Sequence, residues 1–444
     1  MKVVRAFGFL LFSLLAACAE PATEAVRPSA PERVGFHAGA ASAEISPEPG
    51  AFIAGDARNR RFAGVHDPLF VKAVVLLNGD MALAIVTVDN IGLTRPDIEV
   101  IRQRASTYAA LPGLTPERII VSSTHTHSGP DVVGLWGEHE LSSGREPIYM
   151  DRLITAVATQ ISAAAASLKP ATLRLASGTH DIDWVHNVTE PDLLDRQMGV
   201  LQFLDAEQTT IATLTNFACH PTVMDAISDQ VSSDYVAGFY RVMADHLAGE
   251  HLFLQGAIGG WVQPDKVDRS FEKADDYGAD VAHASLTLLL TADEDPVPTL
   301  DLARREFLIP LENPGFSILL KAGVLNRPLE DGQLRTETAW ISVGDAVLVT
   351  HPGETSPQHS LDTRALIDRR HSFVMGLTGD ALGYILKPEY FENVSAFPSA
   401  EYLTATSVGP KAAPLLMENI AALAQSMKET NHVDSGGLIG GEAH

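Results

Sequence analysis

Apolar and polar positions change period several times along the chain. Phe70 to Leu77 and Met81 to Val88 are nearly unbroken runs of aliphatic residues. Between them stands Asn78-Gly79-Asp80, a turn sequence that tolerates positive φ, so the pair predicts a β-hairpin. Pro96 to Tyr108 and Pro147 to Leu168 place apolar residues at helical spacing instead. The second of these is rich in alanine and opens on proline, whose fixed φ suits a first helical turn. Ser233 to Leu247 predicts another helix, with Ser233 or Asp234 as its cap and Val236, Phe239, Met243 and Leu247 on one face. Strands and helices interleave with no internal repeat or low-complexity break. That predicts one large α/β domain over about 34–428, a mixed sheet with helices packed around it. The tail over 429–444, with its Ser-Gly-Gly and Gly-Gly-Glu, is expected to be flexible.

The start of the chain follows other rules. Lys2 and Arg5 precede an apolar run from Phe7 to Leu15, which closes on Leu15-Ala16-Ala17-Cys18. That run is too short to span a bilayer and reads as an export signal. A cysteine directly after Leu-Ala-Ala resembles a bacterial lipobox, so Cys18 is the expected lipidation site and 1–18 a lipoprotein signal peptide. Residues 19–33, rich in Ala, Glu, Pro and Thr, read as a tether. The expectation is an exported bacterial lipoprotein at the periplasm or cell surface, anchored in the outer membrane. Only Cys219 remains besides Cys18, so with Cys18 lipidated the mature domain has no internal disulfide and its stability rests on core burial. The formal charge of −24 leaves no basic surplus for phosphates and excludes nucleic acid as a partner.

Four apolar, strand-like runs lead into residues that metals and reactions use. Arg118 to Val121 leads to Thr124-His125-Thr126-His127-Ser128-Gly129-Pro130, and Ile211 to Ala218 leads to Cys219-His220-Pro221-Thr222. Ala346 to Val349 leads to His351-Pro352-Gly353-Glu354, and Ser372 to Thr378 leads to Gly383-Tyr384. Sites in open α/β sheets form beyond the carboxyl ends of strands, where loops converge, so His125, His127, His220, Glu354 and Tyr384 are candidates for one site. Two or three imidazoles with a carboxylate and no thiol suit catalytic zinc. In an extended His-x-His both rings point to one side.

These motifs resemble the neutral/alkaline ceramidases, in that family's order. The run Thr124 to Pro130 looks like their Thr-His-Thr-His-Ser-Gly-Pro signature, and Asn216 to Met224 resembles their Phe-Ala-x-His-Pro-Thr segment. His351 to Thr355 looks like their Pro-Gly-Glu segment, and Gly383 to Glu392 is similar to their Gly-Tyr segment ahead of a Glu-Tyr pair. Gly39 to Pro47 resembles their opening, and Gly64 to Leu76 continues it, so the likeness runs from Gly39 to about Pro410. The resemblance implies one Zn²⁺ per chain, held by His125, His220, Glu354 and Tyr384, with His127 as the catalytic proton carrier. It implies an amidohydrolase that cleaves the N-acyl bond of a ceramide-like lipid with metal-activated water, releasing fatty acid and amine. Substrate contacts are expected from Gly259, Gly260, Trp261 and Tyr402.

The departures narrow this. No serine stands in Gln255 to Asp265, where the ceramidases carry Gly-Asp-x-Ser-Pro-Asn, so activated water is favoured over a serine nucleophile. Their Asn-Arg-Ser loop is His186-Asn187-Val188-Thr189 here, without the arginine. A carboxyl-terminal β-sandwich domain like theirs is not expected within this sequence. Two alternatives stay open: hydrolysis of another amide or ester, and a metal-containing binding lipoprotein without catalysis. His66 and Asp67 read as turn residues or site lining, Asp89 as a metal-site support or a helix cap, and Trp136 and Trp261 as acyl contacts or core.

Overall fold

The computed structural model describes residues 35–436, with the side chains of the last helix as far as 429. The expected signal peptide, Cys18 and the tether lie outside the described residues, as do 437–444. Three sheets form the body. The first runs Ile119–Ser123, Met81–Val88, Phe70–Asn78, Phe36–Glu44 and the short Lys169–Pro170. The second runs Glu250–Gln255, Thr210–Phe217, Gln197–Leu204, Thr172–Thr179 and Asp293–Asp295. The third runs Leu300–Pro310, Gln333–Val343, Ala346–Thr350 and Ser372–Met375. The expected hairpin closes with Asn78 opposite Met81.

Alternation along the strands sorts side chains between two cores. Val71, Ala73, Val75 and Leu77 pack under the helices Arg95–Ala109 and Pro147–Ala166. Val74 and Leu76 face the other way, into a core shared with Leu201, Leu214, Ile341 and Leu348 of the other two sheets. Helices Tyr235–His246 and Phe271–Leu289 cover the second sheet's outer face, and Ala412–Gly436 covers the third's. Burial on both faces explains why these strands read as continuous apolar runs. Val236, Phe239 and Met243 are buried as the helical pattern requires, and Asp234 caps that helix by accepting from the Tyr235 amide. The last helix continues past the boundary expected near 428. From Lys428 to Asp434 there is neither glycine nor proline to stop it, and it ends at Gly436. Among the described residues no helix is long and apolar enough to cross a membrane.

Each sheet is antiparallel except for one parallel pair at an edge: Met81–Val88 with Ile119–Ser123, Thr210–Phe217 with Glu250–Gln255, and Ala346–Thr350 with Ser372–Met375. Parallel neighbours end on the same side, so each pair delivers two loops to one place. The sheets are stitched there. Gly379 N donates to Val121 O at 2.9 Å, Thr378 Oγ1 to Ser122 Oγ at 2.9 Å, and Gly376 N to Gln255 O at 2.8 Å. Further away, Glu337 of the third sheet is buried among arginines. Arg102 reaches it with two nitrogens at 2.5 and 3.0 Å, Arg304 at 2.6 Å and Arg95 at 3.2 Å. Arg95 and Arg102 belong to the helix over the first sheet, so this ion cluster ties the two layers together.

Candidate metal centre and substrate cavity

The three parallel pairs bring the histidines and Glu354 together. His125 follows its strand with φ of +73°, a conformation that costs a non-glycine residue energy and is held by its surroundings. Its amide donates to Asn90 O at 2.8 Å, and its Nδ1 lies 2.6 Å from Ile91 O. The His220 amide and ring Nδ1 both reach Val262 O, at 2.9 and 2.6 Å. Gln255 braces both loops, its Nε2 donating to Thr124 O at 3.0 Å and to Cys219 O at 2.9 Å. Each of those carbonyls immediately precedes a candidate histidine.

A carbonyl only accepts, so both Nδ1 atoms carry the proton and both Nε2 lone pairs point into the site. There Glu354 Oε2 lies 3.1 Å from His220 Nε2 and 3.5 Å from His125 Nε2. Two lone pairs and a buried carboxylate converging without a donor repel one another, and a cation between them removes that conflict. Burial by itself raises the Glu354 carboxyl, and it is positive charge at the two imidazoles, whether a proton or a cation between them, that pulls it below the usual carboxylate range. Burial, against the pull of Glu354, takes His220 down to about 4. The donor set therefore fits a divalent metal. Glu354 and Tyr384 are register partners in the short parallel pair Glu354–Thr355 and Tyr384–Ile385. Burial and the Glu354 charge push the Tyr384 phenol well above its ordinary value, so it ligates as phenolate only beside a cation.

His127 completes the group. Its ring nitrogen joins those of His125 and His220 in a cluster whose members all lie within 4.8 Å of one another, a third imidazole that could hold a metal. His127 Nε2 is 3.4 Å from His125 Nε2, while its Nδ1 faces Asp225 Oδ1 at 3.5 Å, an ionic contact rather than a good hydrogen bond. Asp225 is held in turn by Lys266 Nζ at 2.8 Å. Burial raises the Asp225 carboxyl, but His127 and Lys266 more than reverse this and keep it ionised. Cys219, beside His220, packs in the apolar core with its Sγ toward His220 O at 3.7 Å, and burial pushes its thiol up.

Above this group opens a cavity with about 1000 Å³ of empty space, part of it open to solvent. His125, His127, Glu354 and Tyr384 are part of its lining. Its other walls are mainly apolar, with Leu135 and Trp136 from the loop after His127 and Phe316 and Leu320 from helix Pro314–Lys321. Such a space suits a hydrocarbon chain.

No family model matches the chain. A neutral ceramidase from Pseudomonas aeruginosa is 25% identical over 189 residues, which is 39% of this chain and 28% of that protein, so the matched stretch spans little more than a quarter of the relative's length. The crystal structure of neutral ceramidase from P. aeruginosa superposes with a TM-score of 0.73 at 18% identity, covering 89% of this chain and 75% of that one. The fold is that of the neutral ceramidases. A structure of a ceramidase complexed with C2 gives a TM-score of 0.72 at 17% identity, over 90% of this chain and 76% of the other. The family resemblance read from the motifs is thereby borne out, as is the expected α/β class.

Within the neutral ceramidase fold the remaining expected residues fall as follows. Tyr402 lines the cavity, and Trp261, at φ +66°, stacks on it with ring centroids 5.5 Å apart. Gly259 and Gly260 are not among the cavity walls. Gly259 lies where a Cβ would come within 2.3 Å of Glu354 O, so it lets the two loops touch. Gly259→Ala is expected to shift Glu354 and to weaken metal affinity by roughly 10- to 100-fold, read by competition with a fluorescent chelator. Trp136 faces the cavity. His66 stacks on Phe271 with centroids 3.6 Å apart and pairs with Asp67 at 3.0 Å, a turn-holding role. Asp89 accepts from Phe70 N, Tyr240 OH and Thr124 Oγ1, next to His125, and burial raises its carboxyl to about 6. It supports the histidine loop. Asp225 and Gln255 escaped the sequence reading. Asp225 stands five residues after His220, but no local pattern marks it as facing His127.

Proposed function

We propose that the chain is a zinc-dependent amidohydrolase that cleaves the N-acyl bond of a ceramide-like lipid into fatty acid and amine. The observation that carries this is the meeting of two Nε2 lone pairs with the Glu354 carboxylate in the lining of an apolar cavity. His125, His220, Glu354 and Tyr384 would hold the ion, whose donor set of nitrogen and oxygen suits zinc. When bound, zinc supplies Lewis acidity toward the amide carbonyl and makes water a competent nucleophile near neutral pH. His127 handles the proton, passing it to the departing amine nitrogen, which is a poor leaving group without it. Asp225 faces the far nitrogen of the same ring and orients it. The apolar walls take up the acyl chain and exclude water from it. The leader sequence supports export with Cys18 as the lipid anchor, which would set the enzyme at a membrane surface, where N-acyl lipids are found.

The test is metal content and hydrolysis of a fluorescent short-chain ceramide by purified protein lacking residues 1–18, with and without chelator. One zinc per chain and chelator-sensitive release of fatty acid are the expected results. Zinc without turnover of any ceramide would move the substrate to other amides or esters. A protein that takes up no metal would overturn the reading.

A further inference from the structure

We infer that the cavity contains a polar recognition point for the acyl part of the substrate, centred on Arg327, and that the preferred acyl chain carries a hydroxyl group. This rests on the N-acyl amide reading. Arg327 stands in the wall of the same cavity as His125, His127 and Glu354, among side chains that are mostly apolar, with Asn326 and Thr94 as polar neighbours in that wall. Its side chain is only 9% exposed. Nη1 donates to Asp380 Oδ1 at 2.7 Å, Nη2 pairs with Asp380 Oδ2, and Nη2 also reaches Arg335 O at 3.4 Å. A guanidinium has five N–H groups, so the Nε–H and one Nη1–H have no partner among the described residues. A plain hydrocarbon chain in the cavity offers these donors no acceptor, whereas a chain carrying an oxygen does.

The chemistry of the acceptor follows from Asp380. This carboxylate is wholly buried and takes further hydrogen bonds from Arg95 N at 2.9 Å, Thr336 Oγ1 at 2.8 Å and Ala381 N at 2.8 Å. Its pairing with both Nη atoms offsets the Arg327 charge, so the point offers donors with little net positive charge. A carboxylate on the substrate would meet the repulsion of Asp380 beside the attraction of Arg327. A hydroxyl meets neither, accepts from Arg327, and can itself donate to Asn326 or Thr94. It also meets the absence of the arginine from the loop at His186 to Thr189, because Arg327 brings a guanidinium to the cavity from another part of the chain.

The test compares four N-decanoyl amides with one fluorescent amine, the chain unsubstituted or hydroxylated at carbon 2, 3 or 10. The four free acids are compared in parallel by calorimetry on the zinc-loaded protein. One hydroxylated chain is expected to be favoured about tenfold over the unsubstituted one in kcat/KM and in affinity. Arg327→Lys keeps a cation for Asp380 but loses the forked donors, and should bring both ratios close to one. Equal treatment of all four chains by the unaltered protein would overturn the proposal, as would a preference that survives in R327K. Should R327K fail to fold, Asn326→Ala tests the same point, with a smaller drop in the ratio expected and an unchanged ratio counting against it. Tighter binding of a hydroxylated acid with no amide hydrolysed would uphold the recognition point and count against the N-acyl amide reading. Hydrolysis with no preference would do the reverse.

Discussion

His127→Ala is expected to lower kcat for the best amide substrate by about 10²- to 10⁴-fold while the protein keeps its metal. His125 and His220 each have Nδ1 tied to a backbone carbonyl and Nε2 directed at Glu354, the arrangement of a ligand. His127 has neither feature. Its Nδ1 faces the Asp225 carboxylate, and its side chain is 17% exposed against 4% for His125 and none for His220. Burial lowers the His127 pKa from its usual value, and the contact with Asp225 opposes that. Measured side by side, zinc content and single-turnover rate separate the roles. Loss of metal together with activity would make His127 a third imidazole ligand, and full activity would remove it from the chemistry.

The largest effect on stability is expected from Glu337→Leu. Glu337 is 1% exposed and is the shared partner of Arg95, Arg102 and Arg304. Leucine fills the space but strands Arg102, whose side chain is 3% exposed and whose remaining recorded bond is from Nε to Ile119 O at 2.8 Å. Breaking one side of a buried ion pair in this way costs about 3–5 kcal/mol. Urea denaturation should show the unfolding free energy in water falling by that amount, through a lower midpoint at an unchanged slope. Arg304→Met removes a less buried member of the cluster, leaves Glu337 with two arginines, and should cost less. A loss under about 1 kcal/mol for Glu337→Leu would mean that solvent reaches the cluster and screens it.

Much of this protein was legible along the chain because the signals are local. The hairpin at Asn78-Gly79-Asp80, the helices after Arg95, Pro147 and Asp234, and the strand ends before His125, His220, Glu354 and Tyr384 all follow from periodicity and turn chemistry within a dozen residues. The motif order carried the ceramidase likeness that the fold bears out. Other features have no local mark. Nothing in the apolar runs says that they divide among three sheets, since strands buried on both faces look alike whichever neighbour they pair with. Gln255 looks like any polar residue ending a strand until it is found bonded to Thr124 O and Cys219 O, one before each histidine. Asp225 meets His127 only because loops from different sheets end side by side, and Arg327 meets Asp380 only because two connections of the third sheet, 53 residues apart, converge. The apolar cavity is likewise assembled from the loop at Leu135, the helix at Phe316 and the residues around Tyr402. Residue type and spacing determined which groups could do chemistry, because those depend on side-chain identity and the local path of the chain. Tertiary packing alone decided which partners those groups have, because charge, tautomer and access depend on what lies across a layer boundary.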